Sequence, residues 1–175
     1  MPHSLVMIPV PELDGVVGTA LRRRSPGLVP ADPGVPAHIT LLGPFMSMDS
    51  LTEGVLDELG AFFADVTPFT FTLTGVHQFP GGGIYLAPEP AQPFRRLTLA
   101  LFDRFPEHPP YGGAFDDVVP HLSLPLPDGG NDWSLPADLG VRLPLRVHAR
   151  EASLYWSEEG ASRTLATFPF GTTAA

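Results

Sequence analysis

Two short segments of this chain share one pattern. Pro36-Ala37-His38-Ile39-Thr40-Leu41 is echoed by Pro120-His121-Leu122-Ser123-Leu124. Each sets a histidine two residues before a hydroxyl, with apolar residues between and after. On a strand, successive side chains alternate between faces, so His38 and Thr40 share one face and Ile39 and Leu41 the other. His121 and Ser123 share a face in the same way. At a rise of roughly 3.3–3.4 Å per residue, imidazole and hydroxyl stand about 7 Å apart along the strand. Two such strands brought together make a pocket with two acid/base groups and two neutral hydrogen-bond donors. That set suits a phosphodiester: one histidine takes a proton, the other gives one, and the hydroxyls hold phosphate oxygens.

The elements around the motifs follow from periodicity and turn chemistry. Residues 4–10 read as a buried strand, and Pro11-Glu12 opens a helix with Leu13, Val16, Val17, Ala20 and Leu21 at helical spacing. Residues 25–36 are rich in proline and glycine and read as a loop. The first histidine strand covers about 38–45. Ser50-Leu51-Thr52-Glu53 matches a capping box, followed by an apolar stripe of Leu51, Val55, Leu59, Phe62, Phe63 and Val66. Alternation over 69–74 and the Gly81-Gly82-Gly83 turn predict a hairpin over 69–87. Pro93 starts a helix with Phe94, Leu97, Leu101 and Phe105 as its core stripe. A loop over 106–118 leads to the second histidine strand. Residues 127–140 read as irregular, and about 143–170 as strands with a turn at Glu158-Glu159-Gly160. The order predicts an α+β chain whose halves repeat a theme.

Composition narrows the function. The chain has 175 residues, is 43% hydrophobic and lacks cysteine, so thiol nucleophiles and disulfides are excluded. No apolar run is long enough for a membrane span, and the N-terminus has no signal-peptide pattern; a cytoplasmic location is expected. The net charge is −9, with arginine as the sole source of Lys/Arg charge. Proteins that wrap long nucleic acid carry a basic footprint. Here the one basic cluster, Arg22-Arg23-Arg24, suits the C-terminal end of a helix. No extended nucleic-acid track is evident, so a small nucleotide or an RNA terminus is the expected partner.

The remaining histidines carry no role: His3 is terminal, His77 and His108 flank turns, and His148 lies on an alternating strand. No histidine or carboxylate grouping has metal-ligand spacing, so neither metal nor cofactor is expected. Asp116-Asp117 reads as a solvated loop, with orientation of His121 as the lesser option. Among the aromatics, Phe45, Tyr85, Tyr111, Phe115, Tyr155 and Trp156 could stack a base. Phe45 and Phe115 are placed near the groove and Tyr111 in its lip. Arg163 is a candidate phosphate partner.

The paired His-x-Thr/Ser motif resembles the two-histidine (2H) phosphoesterase superfamily, whose members include 2′-5′ RNA ligase and RNA 2′,3′-cyclic phosphodiesterase proteins. The run from Val35 to Phe45, Gly75-Val76-His77-Gln78-Phe79-Pro80, Tyr85-Leu86-Ala87-Pro88-Glu89-Pro90, and Tyr111-Gly112-Gly113-Ala114-Phe115-Asp116 through His121 extend the likeness to a bacterial branch of that family. The resemblance implies one bilobal domain over 1–175, a monomer. Its two pseudo-symmetric lobes of antiparallel sheet are flanked by helices, with the active-site groove between the sheets. It implies His38 and His121 as the catalytic pair, both on central strands, and Thr40 and Ser123 as phosphate ligands. It also implies metal-free action on 2′,3′-cyclic phosphates or 2′-5′ linkages. Many ligase-like members carry arginine five residues past the second histidine, where this chain has Leu126. The alternatives are an RNA 3′-end transesterase or exonuclease, and a non-catalytic nucleotide- or RNA-end-binding module.

Overall fold

The computed structural model describes residues 2–17, 36–114, 116–124, 142–158 and 160–171. Strand β1 (His3–Pro9) is followed by a 3₁₀ turn at Pro11–Leu13 and helical backbone over 14–17. Then come β2 (His38–Leu42), helix α1 (Glu53–Ala64), β3 (Phe69–Gln78), β4 (Ile84–Glu89) and helix α2 (Gln92–Arg104). The chain closes with β5 (Leu122–Leu124), β6 (Leu145–Ala149), β7 (Glu151–Ser157) and β8 (Arg163–Pro169).

These strands form two antiparallel four-stranded sheets, in the orders β2-β1-β7-β8 and β5-β4-β3-β6. The α+β class follows from the sequence patterns, but the lobes are not the halves of the chain. The last two strands return to the first lobe, and β6 joins the second. Strand β1, a run of Leu-Val-Met-Ile, lies between β2 and β7 and is buried throughout its middle. Such an unbroken apolar run marks a strand covered on both faces.

The helices cover the backs of the sheets. Leu59 and Phe63 of α1 are fully buried at helical spacing, and Phe94, Leu97 and Leu101 of α2 form the matching stripe. Phe63 stacks on Phe168 of β8, and Phe94 meets Phe69 and Phe71 of β3 edge-on. One apolar core runs through both lobes, from Ile8 and Ile39 to Phe71, Leu86 and Leu122. A second, small cluster of Leu5, Met7 and Tyr155 lies on the opposite face of the first sheet.

Two local expectations need correction. The N-cap of α1 is Thr52, whose hydroxyl accepts from the Val55 N–H at 3.3 Å. Ser50 ends a 3₁₀ turn and bonds the Ser47 hydroxyl instead, so Glu53 is the first helical residue and no capping box forms. The histidine strands are also shorter than expected, and each is an edge strand rather than a central one. The apolar run of β1 takes a middle position and is buried along its centre. Predicted features at 18–35 and 125–141, Leu126 among them, lie outside the described residues.

Candidate active site

The edges β2 and β5 meet, so the two motif strands adjoin where the sheets come together. Register defines the faces. Thr40 is opposite Met7, and His38 opposite Pro9, on the face that carries Leu5 and Tyr155. Ser123 is opposite Tyr85, which is opposite His77. His121 immediately precedes β5 and by alternation shares the Ser123 face. The motif faces are thus the ones turned away from the helices.

Both imidazoles are held in the same way. His38 Nδ1 donates to the Pro36 carbonyl at 2.7 Å, and His121 Nδ1 donates to the Val119 carbonyl at 2.6 Å. Each acceptor lies two residues upstream, so the motif supplies its own brace. A carbonyl can only accept, so Nδ1 carries the proton and neutral Nε2 keeps its lone pair. Among the described residues neither Nε2, nor the hydroxyl of Thr40 or Ser123, has a protein hydrogen-bond partner.

The surroundings of the two rings differ. His121 is ringed by aromatics: Tyr111 stacks at 5.7 Å, Phe79 lies edge-on at 5.0 Å and Tyr85 edge-on at 5.7 Å. Phe79 and Tyr85 stack on each other at 4.0 Å. His38 instead sits close to a carboxylate, since Asp14 Oδ1 accepts from the adjoining Ala37 N–H at 2.8 Å. Burial pushes the His38 pKa below the ordinary 6.5 and outweighs the Pro36 hydrogen bond; the His121 charge lowers it further and Asp14 raises it.

This shift has a sign. Between its lowered value and 6.5, the unfolded chain binds a proton that folded His38 refuses. Stability therefore falls as pH drops through that window, and His38→Asn removes this contribution. An NMR titration should place the His38 midpoint below 6.5; a midpoint at or above it contradicts the burial described here.

The outer candidates fare differently. Tyr111 is brought to His121. Phe45 is only 6% exposed and packs edge-on against Phe105 and His108 in the core. Its place after β2 follows the buried side of that turn. Arg163 is opposite Trp156, itself opposite Ser4, a row on the face away from Met7 and Thr40. Its Nη1 donates to the Ala161 carbonyl at 3.1 Å. Phe115 lies outside the described residues. Asp117, read as solvated, takes a two-pronged bond from Arg95 of α2 at 2.9 and 3.3 Å. That guanidinium lowers the Asp117 pKa. No local sequence signal announces Phe79, Asp14 or the Arg95–Asp117 pair at the site, because all three depend on long-range contacts. Two clefts of about 350 and 420 Å³ lie on the outer face between α1 and α2, and neither contains a motif residue. Among the described residues no three His, Asp or Glu side chains converge as metal ligands would.

The geometry agrees with the family comparison. A sequence model of the 2′-5′ RNA ligase superfamily matches residues 11–161, well over half the chain. The chain belongs to that superfamily. It is accordingly a 2H phosphoesterase by family, and phosphoesterase or ligase-like enzyme chemistry comes with that membership. Its fold matches LigT of E. coli, solved with 3′-AMP, at a TM-score of 0.59 and 17% identity, covering 97% of this chain and 98% of that one. LigT solved with ATP gives 0.60 at 18%, covering 98% and 99%. TT0787 of Thermus thermophilus gives 0.61 at 19%, covering 99% and 100%. No curated protein sequence matches significantly. Among the described residues no helix of this 2H protein is long and apolar enough to cross a membrane.

Proposed function

We propose that this chain is a metal-independent phosphodiesterase that opens 2′,3′-cyclic phosphates of nucleotides or RNA ends, with 2′-5′ linkages as a related substrate. The observation that carries the reading is the matched pair of Nδ1-braced imidazoles, each with a hydroxyl two residues on. In hydrolysis, one Nε2 takes a proton from water as its oxygen attacks phosphorus. The phosphorus bond to one ribose oxygen breaks, and the other imidazolium delivers its Nε2 proton to that oxygen. A ribose phosphomonoester is left. The Thr40 and Ser123 hydroxyls donate to the non-bridging oxygens, where charge grows in the transition state. With the hydroxyl of a second ribose in place of water, the same forward steps join ends: its oxygen attacks phosphorus, one ribose P–O bond of the cyclic phosphate breaks, and the freed oxygen takes the proton.

Small nucleotides suit the site. LigT has been solved with 3′-AMP, with NADP+ and with ATP. In this chain Tyr85, opposite Ser123, and Phe79 offer ring surface for a base. The −9 charge disfavours long polyanions.

The test is a panel of 2′,3′-cyclic mononucleotides, RNA ending in a cyclic phosphate and 2′-5′ oligonucleotides, each assayed with and without exhaustive chelation. We expect turnover of the cyclic phosphates to be unchanged by EDTA. Loss in EDTA with rescue by one divalent ion would contradict the acid/base account. Release of cyclic phosphate from RNA 3′ ends would favour a transesterase, and binding without turnover would favour a non-catalytic module.

A further inference from the structure

We propose that Tyr111 is a positioning residue for His121, its hydroxyl holding the Val119 carbonyl that fixes the imidazole. The inference rests on the reading that His121 handles a proton in the reaction. Val119 O accepts twice: from His121 Nδ1 at 2.6 Å and from the Tyr111 hydroxyl at 3.1 Å. A carbonyl has two lone pairs, so both donors can be held at once. The tyrosine ring meanwhile stacks on the imidazole, with 29° between the planes. One side chain therefore restrains the ring directly and restrains the atom that orients the ring.

The backbone supports this assignment. Tyr111 adopts φ 54°, ψ 30°, the left-handed region that a bulky side chain rarely occupies. Such a conformation costs free energy and persists where surrounding contacts over-determine it, often at functional sites. The 110–113 turn also touches β2 of the first sheet, and a side chain at Gly112 would meet Pro44 just beyond that strand. Downstream, the Arg95–Asp117 fork ties the same loop to α2. The carbonyl is thus gripped from both sides. Burial raises the Tyr111 pKa above 10.0, against a smaller opposing effect of Arg95, so the hydroxyl keeps the proton it donates. His38 has no ring stacked on it among the described contacts; its Pro36–Ala37 segment is braced by Asp14.

Tyr111→Phe keeps the ring and deletes the bond. The measurement is the pair of ring-nitrogen shifts of each histidine in ¹⁵N-labelled protein, with His121 assigned by its loss in His121→Gln. A single tautomer shows widely separated Nδ1 and Nε2 shifts. In Tyr111→Phe we expect the His121 pair to converge as its tautomers mix, with the His38 pair unmoved. The kcat for a 2′,3′-cyclic mononucleotide should fall about 10-fold with KM within a factor of two, since misplacing a reacting group slows the step more than binding. Unchanged His121 shifts, or an unchanged kcat, would overturn the proposal whatever happens to the melting temperature. If the wild-type protein turns over no cyclic nucleotide, the functional reading fails, and the nitrogen shifts alone judge the brace.

Discussion

His38→Ala and His121→Ala are each expected to lower kcat for a 2′,3′-cyclic mononucleotide by about 10²–10⁴, the usual worth of a positioned acid or base. Each substitution leaves one braced imidazole beside a vacated position. The remaining ring can still donate or accept, but not both, so one of the two proton transfers falls to water. The double variant should lose far less than the product of the single losses, because the pair acts as a unit. Steady-state kinetics on variants shown by circular dichroism to be folded decide it. Wild-type turnover in either single variant would remove that histidine from the mechanism.

The largest expected effect on stability is at Phe63. It is fully buried and stacks on Phe168 at 5.8 Å and Phe170 at 5.7 Å, each at 18° between planes, with Phe62 edge-on at 5.0 Å. It is the contact through which α1 seats against the last strand of the first sheet. Phe63→Ala removes the ring's transfer energy and leaves a cavity that three aromatic neighbours cannot fill. A cost of about 3–5 kcal/mol is expected for such a truncation. That is a large share of the ~5–15 kcal/mol by which domains are stable. Urea unfolding should show the midpoint falling with little change in slope, and Phe63→Leu should lose much less. A loss below about 1 kcal/mol would mean that α1 is not anchored by this ring.

Legibility in the sequence followed the range of the physics involved. The α+β class, both helical stripes and the 69–87 hairpin are written in periods of 3.6 and 2, which neighbours along the chain encode. The histidine motif is local as well. His38 and His121 each bond a carbonyl two residues back, so the same short segment supplies both the imidazole and its brace. The Ser50 capping box failed for a local reason too: Thr52, two residues nearer the helix, competes for the same role.

What only the tertiary structure decided lies between distant segments. Strand order put the motifs on two edges that meet rather than at the centres of the sheets. Register turned Arg163 to the far face, and packing against Phe105 and His108 drew Phe45 into the core. The aromatic ring around His121 comes from a hairpin, a left-handed turn and a loop tied down by Arg95. The carboxylate beside His38 comes from the segment after β1. Alternation along one strand can say which residues share a face. It cannot say which strand lies opposite, and the difference between the two histidine environments arises there, from contacts between residues far apart in the chain.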